Sequence, residues 1–403
     1  MPSSSTKILS PVKLQLPGTV RLAALPPLSL YVHIPWCVRK CPYCDFNSHE
    51  ARGELPEQAY VAALISDLES ALPSIWGRPV HTVFFGGGTP SLLSADAIDR
   101  LLAAIRARVT LLPGAEITLE ANPGTVEAAR FAGFRAAGVN RLSVGVQSLN
   151  PKHLRALGRI HDAQQARDAI ETAQACFDSI NVDLMYALPG QEMEDALRDL
   201  RAVLAYSPQH LSVYHLTVEP NTYFHRYPPQ VPDDDVAAAM QEALEALLAE
   251  QGYVHYETSA FAKPGFESRH NLNYWRFGDY LGIGAGAHSK ISFPDRIVRE
   301  MRYKQPREYL RRVANGTPIQ TASEVPAHGL PFEFMMNAMR LTGGVEAGIF
   351  QERTGLPVSA IAGRLKKARE TGLIEHTVAR LKPSLKGQRF LNDLLTLFLD
   401  AEV

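Results

Sequence analysis

Cysteine is scarce in this chain, with four in 403 residues: Cys37, Cys41, Cys44 and Cys176. That level excludes a disulfide scaffold. Charge excess is absent too. The chain has 41 basic and 42 acidic residues, a formal net charge of -1, which argues against a dedicated nucleic-acid binder. No apolar run approaches the roughly 18 residues of a membrane span. The first thirty residues carry Lys7, Lys13 and Arg21, no acid, and prolines at 11, 17, 26 and 27. They contain no continuous signal-peptide core. The expectation is a mobile leader over 1–27 on a cytoplasmic protein. The chain does have 46% hydrophobic residues, enough for a sizeable core. Its length suits two or three domains, or one barrel with an appendage.

From Leu28 onward, short apolar runs alternate with helical patterns. Strands are expected at Leu28–Ile34, Val80–Phe85, Glu116–Ala121, Asn140–Val146, Ser179–Ala187 and His210–Leu216. Helices are expected at Glu57–Ala71, Ser94–Arg106, Thr125–Ala137, Pro151–Leu157, Ala163–Cys176, Met193–Tyr206 and Asp234–Gln251. The strand runs are nearly continuous in hydrophobicity, as strands covered on both faces are. Repeated strand-then-helix units imply a parallel sheet with right-handed crossovers, either an open doubly wound sheet or an incomplete barrel. In both, chemistry lies at the C-terminal ends of the strands.

After residue 253 the alternation stops. VHYETSAFA reads as one more strand, and HNLNYWRFGDYLGIGAGAHS as a loop plus a short strand. From Ala327 the pattern turns helical at Phe332–Leu341, Val345–Thr354 and Val358–Thr371, followed by two short strands and a last helix. Helices followed by a small β-wing suggest a winged-helix-like module. No basic recognition stripe stands out, so it reads as a structural or partner-binding cap.

The strongest chemical signal is Cys37-Val-Arg-Lys-Cys41-Pro-Tyr-Cys44, directly after the first strand. Thiolates suit zinc or iron–sulfur clusters. Structural zinc wants four ligands, and His33 or His49 would have to complete the set. Three thiolates on a four-iron cube leave one iron open to a small molecule. Each later strand also ends in polar or glycine residues. The second is followed by Gly86-Gly87-Gly88-Thr89-Pro90, a tight turn or a close backbone approach to a ligand. No G-K-[ST] follows, which excludes a P-loop. Glu120 and Asn122 follow the third strand, where a salt bridge is the plain alternative. Gln147 ends the fourth, Arg159 lies just beyond it, and Asp183 lies on the fifth. Gly282-Ile-Gly284-Ala-Gly286-Ala287 fits a dinucleotide fingerprint in letters only, and is expected as a tight turn at the barrel's edge.

The C-x3-C-x2-C loop after the first strand resembles the radical S-adenosylmethionine (SAM) superfamily. The resemblance implies an α/β fold, a partial (β/α)6 barrel with a C-terminal helical, winged-helix-like domain. It implies a [4Fe–4S] cluster on Cys37, Cys41 and Cys44, with SAM chelating the open iron and cleaved there by one electron. YVHIPWC, FGGGTPS, LEANPG, RLSVGVQS, DLMYALPGQ and HNLNYW together resemble the HemN-like group over residues 28–400. By that resemblance SAM contacts fall on Tyr31, Tyr43, Gly87, Gly88, Thr89, Glu120, Gln147, Arg159 and Asp183. The implied division is a barrel over 28–265, an HNxxYW segment and linker over 266–326, and a HemN-type domain over 327–403.

Two branches of the group differ in chemistry. The coproporphyrinogen III dehydrogenases have a further cysteine two residues past the third ligand, where this chain has Phe46, and a longer N-terminal arm. The HNxxYW motif, His270 to Trp275, resembles the heme-chaperone branch. That branch implies heme bound through His270, with Tyr274 and Trp275 as flat apolar surface and Arg269 or Arg276 toward the propionates. Without the resemblance, His270 reads as a hydrogen-bonded histidine in a packed loop. The implied partners are heme and client apo-hemoproteins such as membrane-bound respiratory enzymes, with no nucleic acid; a homodimer would use the barrel edge or the C-terminal module. No catalytic residue is assigned.

Overall fold

The computed structural model describes residues 19–125 and 128–399. Seven parallel strands form its centre. They are β1 (Leu28–Ile34), β2 (Val80–Gly87), β3 (Leu111–Ala121), β4 (Arg141–Gln147), β5 (Ile180–Tyr186), β6 (His210–His215) and β9 (Asp279–Ile283). The intervening helices are α1 (Glu57–Ala71), α2 (Ala95–Arg108), α3 (Ala128–Ala137), α4 (Pro151–Ala156), α5 (Ala163–Cys176) and α6 (Met193–Leu204). Short α7 (Tyr223–Arg226) and long α8 (Asp234–Glu250) follow β6. Helix starts follow local chemistry. Ser94 caps α2 by accepting from the Ala97 amide, and Asp162 with Gln165 closes a capping box on α5. Six of the seven residues of β1 are buried, as expected for a strand covered on both faces. Each such Leu, Ile or Val contributes about 1.5–3 kcal/mol.

The sheet is larger than the six expected units. A hairpin of β7 (Val254–Glu257) and β8 (Ala260–Ala262) replaces the single strand expected there, and β8 pairs antiparallel with β6. At the other side β9 pairs parallel with β1. Beyond it run β10 (His288–Ser292), β11 (Ile297–Arg302) and β12 (Ile319–Glu324), all antiparallel. The order is β12-β11-β10-β9-β1-β2-β3-β4-β5-β6-β8-β7. Residues 266–326 are therefore no linker. They extend the central sheet, because β9 covers the edge of β1 that does not face β2. The row curls into a partial barrel: Phe224, beyond β6, donates its amide to the carbonyl of Pro42 in the loop after β1. A flat row would hold those strands about 24 Å apart.

Helix α9 (Arg269–Trp275) joins this barrel to the C-terminal module. The module comprises α10 (Leu330–Ala338), α11 (Ala347–Thr354), α12 (Ala362–Glu370), α13 (Leu385–Arg389) and α14 (Leu391–Thr396). It packs a separate hydrophobic cluster around Phe334, Phe350 and Phe398. The expected wing is reduced to one two-residue pair, β13 (Val345–Glu346) with β14 (Arg380–Leu381), and the expected last helix is split in two. Residues 1–18 of the expected leader lie outside the described residues. Its remainder is packed: Leu22 is buried, and Val20 lies against the module's core.

Asp279 at the start of β9 holds two cations, Lys290 at 2.9 Å and Arg78 at 2.8 Å, with its own side chain 0% exposed. Removing one partner of a buried pair leaves a charge without compensation. Asp279→Ala is expected to cost about 3–5 kcal/mol, seen as a lower urea midpoint; an unchanged midpoint would contradict this account of β9.

Candidate cluster and SAM site

The cysteine loop is held between two glycine turns. On one side, β2 ends in Gly86-Gly87-Gly88. The Gly88 amide donates to the Ile34 carbonyl and the Thr89 amide to the Trp36 carbonyl, both at 2.7 Å. A Cβ on Gly88 would lie 2.5 Å from the Trp36 oxygen, and one on Gly87, whose φ is +113°, 2.5 Å from the His33 ring. Backbone must therefore approach backbone here, which glycine alone permits. On the other side, the expected turn at 282–287 follows β9. Gly284 and Gly286 have positive φ, and their Cβ atoms would meet the His33 carbonyl and the Asn47 side chain. Asn47 donates to the carbonyls of Ala285 and Lys304, each at 2.9 Å.

Between these turns Cys37, Cys41 and Cys44 line one cavity of about 330 Å³. Of the residues singled out as SAM contacts, Tyr43, Gly87, Gly88, Thr89, Glu120, Gln147, Arg159 and Asp183 line it too. Tyr31 does not. It lies one layer deeper, with its hydroxyl 3.1 Å from His33 Nδ1. The structure adds Asn122, Ser143 and Tyr214 to the wall. Tyr214 alternates along β6 with buried Leu211 and Val213, so period-two patterning was the signal that could have found it. Phe46, 64% exposed, stands at the mouth.

Arg159 ties the cavity together. It donates to Cys41 Sγ at 3.6 Å, to the Gly145 carbonyl at 2.6 Å, and to Asn122 Oδ1. Asn122 donates in turn to Thr89 Oγ1 at 2.9 Å. Burial pushes the Cys37 and Cys44 thiols up, and the neighbouring cysteines add to it. A thiolate is favoured there once a cation is bound, as cluster iron provides. Burial first, and the Asp183 charge second, raise the Glu120 carboxyl to about 8. Both ring nitrogens of His33 are engaged, by Tyr31 and by the Asn47 carbonyl at 2.9 Å, which removes it as a fourth zinc ligand. Among the described residues no three His, Cys, Asp or Glu side chains converge tightly enough to hold a single ion. Three soft donors on one wall fit a multi-iron cluster better.

His270 lies at the opposite end of the barrel. Thr82 Oγ1, near the start of β2, donates to Ser29 Oγ at 2.8 Å and sits 2.7 Å from His270 Nδ1. The hydroxyl has one proton, so Nδ1 carries hydrogen and Nε2 a lone pair. Nε2 is buried without a hydrogen-bond partner. The ring is 1% exposed, between Phe84 and Tyr274. Ser29 and Ile34 are five positions apart along β1, roughly 17 Å at about 3.3 Å per step. The rest of the motif is equally committed. Glu116 accepts from the amides of Arg269 and His270, Asn273 donates to Ser29, and Arg340 of the module lies 4.4 Å over the Trp275 ring. An open heme seat at His270 is therefore not present in this conformation; the motif is a joint between barrel and module.

These features define a radical SAM protein. The Radical SAM superfamily model matches residues 31–203, and the HemN C-terminal domain model residues 325–390. The heme chaperone HemW of Escherichia coli K12 is 49% identical over 94% of this chain and 100% of its own length. That of Haemophilus influenzae is 48% identical over 94% and 99%, and that of Mycobacterium tuberculosis H37Rv 34% over 93% and 95%. The chain belongs to the HemW family within the radical SAM superfamily. The solved coproporphyrinogen III oxidase HemN of Escherichia coli superposes with a TM-score of 0.79 at 24% identity, over 93% of this chain and 90% of that one. That likeness establishes the shared fold.

Gly88→Ala is expected to push the cysteine loop off its seat. Iron and acid-labile sulfide per chain should fall severalfold toward the Cys37/Cys41/Cys44 triple-alanine level, with circular dichroism retained. Full iron loading of Gly88→Ala would contradict the clamp.

Proposed function

We propose that this chain is a cytoplasmic heme chaperone. It binds heme, carries a SAM-ligated [4Fe–4S] cluster, and delivers heme to apo-hemoproteins such as respiratory enzymes. The match to HemW proteins over nearly the whole of both chains carries this reading. Cys37, Cys41 and Cys44 hold the cluster. Tyr43, Gly87, Gly88, Thr89, Glu120, Gln147, Arg159 and Asp183 line the SAM seat, and Tyr31 supports it from below. When bound, cluster and SAM supply one-electron chemistry. Arg159 orients Cys41 and Asn122. Phe46 puts a carbon side chain where the dehydrogenase branch has sulfur. No helix among the described residues is long and apolar enough to cross a membrane.

His270 is the proposed iron ligand. Its Nε2 has the lone pair that ligation needs, and heme reaches it when α9 lifts from Thr82. Heme titration of anaerobically reconstituted protein tests this through the Soret band. His270→Ala should weaken binding at least tenfold. Thr82→Val, which keeps the imidazole but removes its tether, should bind at least as fast as the wild type. The cysteine triple variant should still bind heme. Normal binding by His270→Ala would overturn the ligand assignment, and absence of heme binding by the wild type would overturn the function.

A further inference from the structure

Two carboxylates project into the cofactor cavity without a cation to match them. Glu120 ends β3 and Asp183 lies on β5, on the far side of Ser143 and Gly145 of β4. Among the described residues Glu120 Oε2 accepts the Gly87 amide, at 3.2 Å, and no other donor. Asp183 accepts Asn181 Nδ2 at 2.7 Å and Ser143 Oγ at 3.5 Å, and Ser212 bonds to it as well. Neither makes an ion pair within 4.0 Å among the described residues. The groups facing them are the neutral phenols Tyr31 of β1 and Tyr214 of β6, Arg141 of β4, and Arg159 beyond α4. Arg159 is already shared among Cys41, Asn122 and the Gly145 carbonyl. Arg141 and Arg159 act on Asp183, not on Glu120.

Two buried carboxylates in one cavity are costly to keep ionised together, Glu120 more than Asp183, which has hydrogen bonds and two nearby guanidiniums. The cheapest remedy without a ligand is for Glu120 to keep a proton. A ligand that brings its own fixed positive charge removes that need. SAM is such a ligand: its sulfonium gives it one more positive charge than the thioether S-adenosylhomocysteine. We propose that Glu120 and Asp183 hold one proton between them and select the sulfonium form of the cofactor, which expels that proton as it binds. This rests on SAM being the cavity's ligand, and adds a specificity and a proton count that the ligand alone does not require.

The sign follows from linkage. A bound cation lowers the carboxyl pKa, so SAM binding releases a proton below about pH 8 and none well above it. The ratio of SAM affinity to S-adenosylhomocysteine affinity should therefore rise with pH, by close to tenfold per unit at pH 6–7, and level off above pH 8. A proton lost when the ligand's amino group meets cluster iron is common to both ligands and cancels in their difference.

Isothermal titration calorimetry of the anaerobically reconstituted protein, in two buffers of different ionisation enthalpy, counts the protons directly. At pH 7, SAM should release close to one proton more than S-adenosylhomocysteine, and the excess should vanish at pH 9. At pH 8 SAM should bind at least tenfold more tightly than the thioether. In Glu120→Gln both the proton excess and most of that preference should disappear. Equal proton release and equal affinity for the two ligands in the wild type would overturn the inference while leaving the SAM site standing. Failure of the wild type to bind SAM would overturn both.

Discussion

The site depends on one constraint: backbone must pass within hydrogen-bonding distance of backbone on both sides of the cysteine loop. Gly88 and Gly284 are the contact points, where a Cβ would fall 2.5 Å from the Trp36 carbonyl and 2.4 Å from that of His33. Tyr60 on α1 closes the arrangement by donating to the His33 carbonyl at 2.8 Å and accepting from the Ala285 amide at 2.9 Å. The loop's position is thus set by strands β1, β2 and β9, with Asn47 as the loop's own anchor to the turn after β9. That leaves Cys37, Cys41 and Cys44 free to face the cavity.

This explains what could and could not be read from the sequence. The six strand-then-helix units were legible because buried parallel strands are nearly continuous in hydrophobicity and lie a helix apart. The positions after each strand were legible for the same reason, and eight of the nine residues singled out beside the cysteines line one cavity. Strand β9 was not. It has five residues, one of them glycine, and pairs with a strand some 250 positions earlier, a separation that no local pattern records. Asn47, Tyr60 and Ser143 gave no signal because their roles come only from that pairing and from the curl of the sheet. In the C-terminal module the wing was over-read, since Val345 and Glu346 continue a helical pattern but pair with Arg380 and Leu381.

The HNxxYW motif shows how one set of residues answers two demands. His270, Asn273 and Trp275 satisfy Thr82, Ser29 and the module's Arg340 respectively, so the motif is spent on joining two hydrophobic cores. The same packing leaves His270 Nε2 without a hydrogen-bond partner among the described residues. The joint and the cofactor cavity lie at opposite ends of β1 and β2.

The central claim is that this radical SAM fold carries heme and does not make porphyrin. Anaerobic incubation of the reconstituted protein with SAM, a low-potential reductant and coproporphyrinogen III, followed by chromatography of the tetrapyrroles, tests it most directly. The account predicts recovered coproporphyrinogen III, while the same preparation loaded with heme passes it to an apo-cytochrome. Multiple turnovers to protoporphyrinogen IX would contradict it.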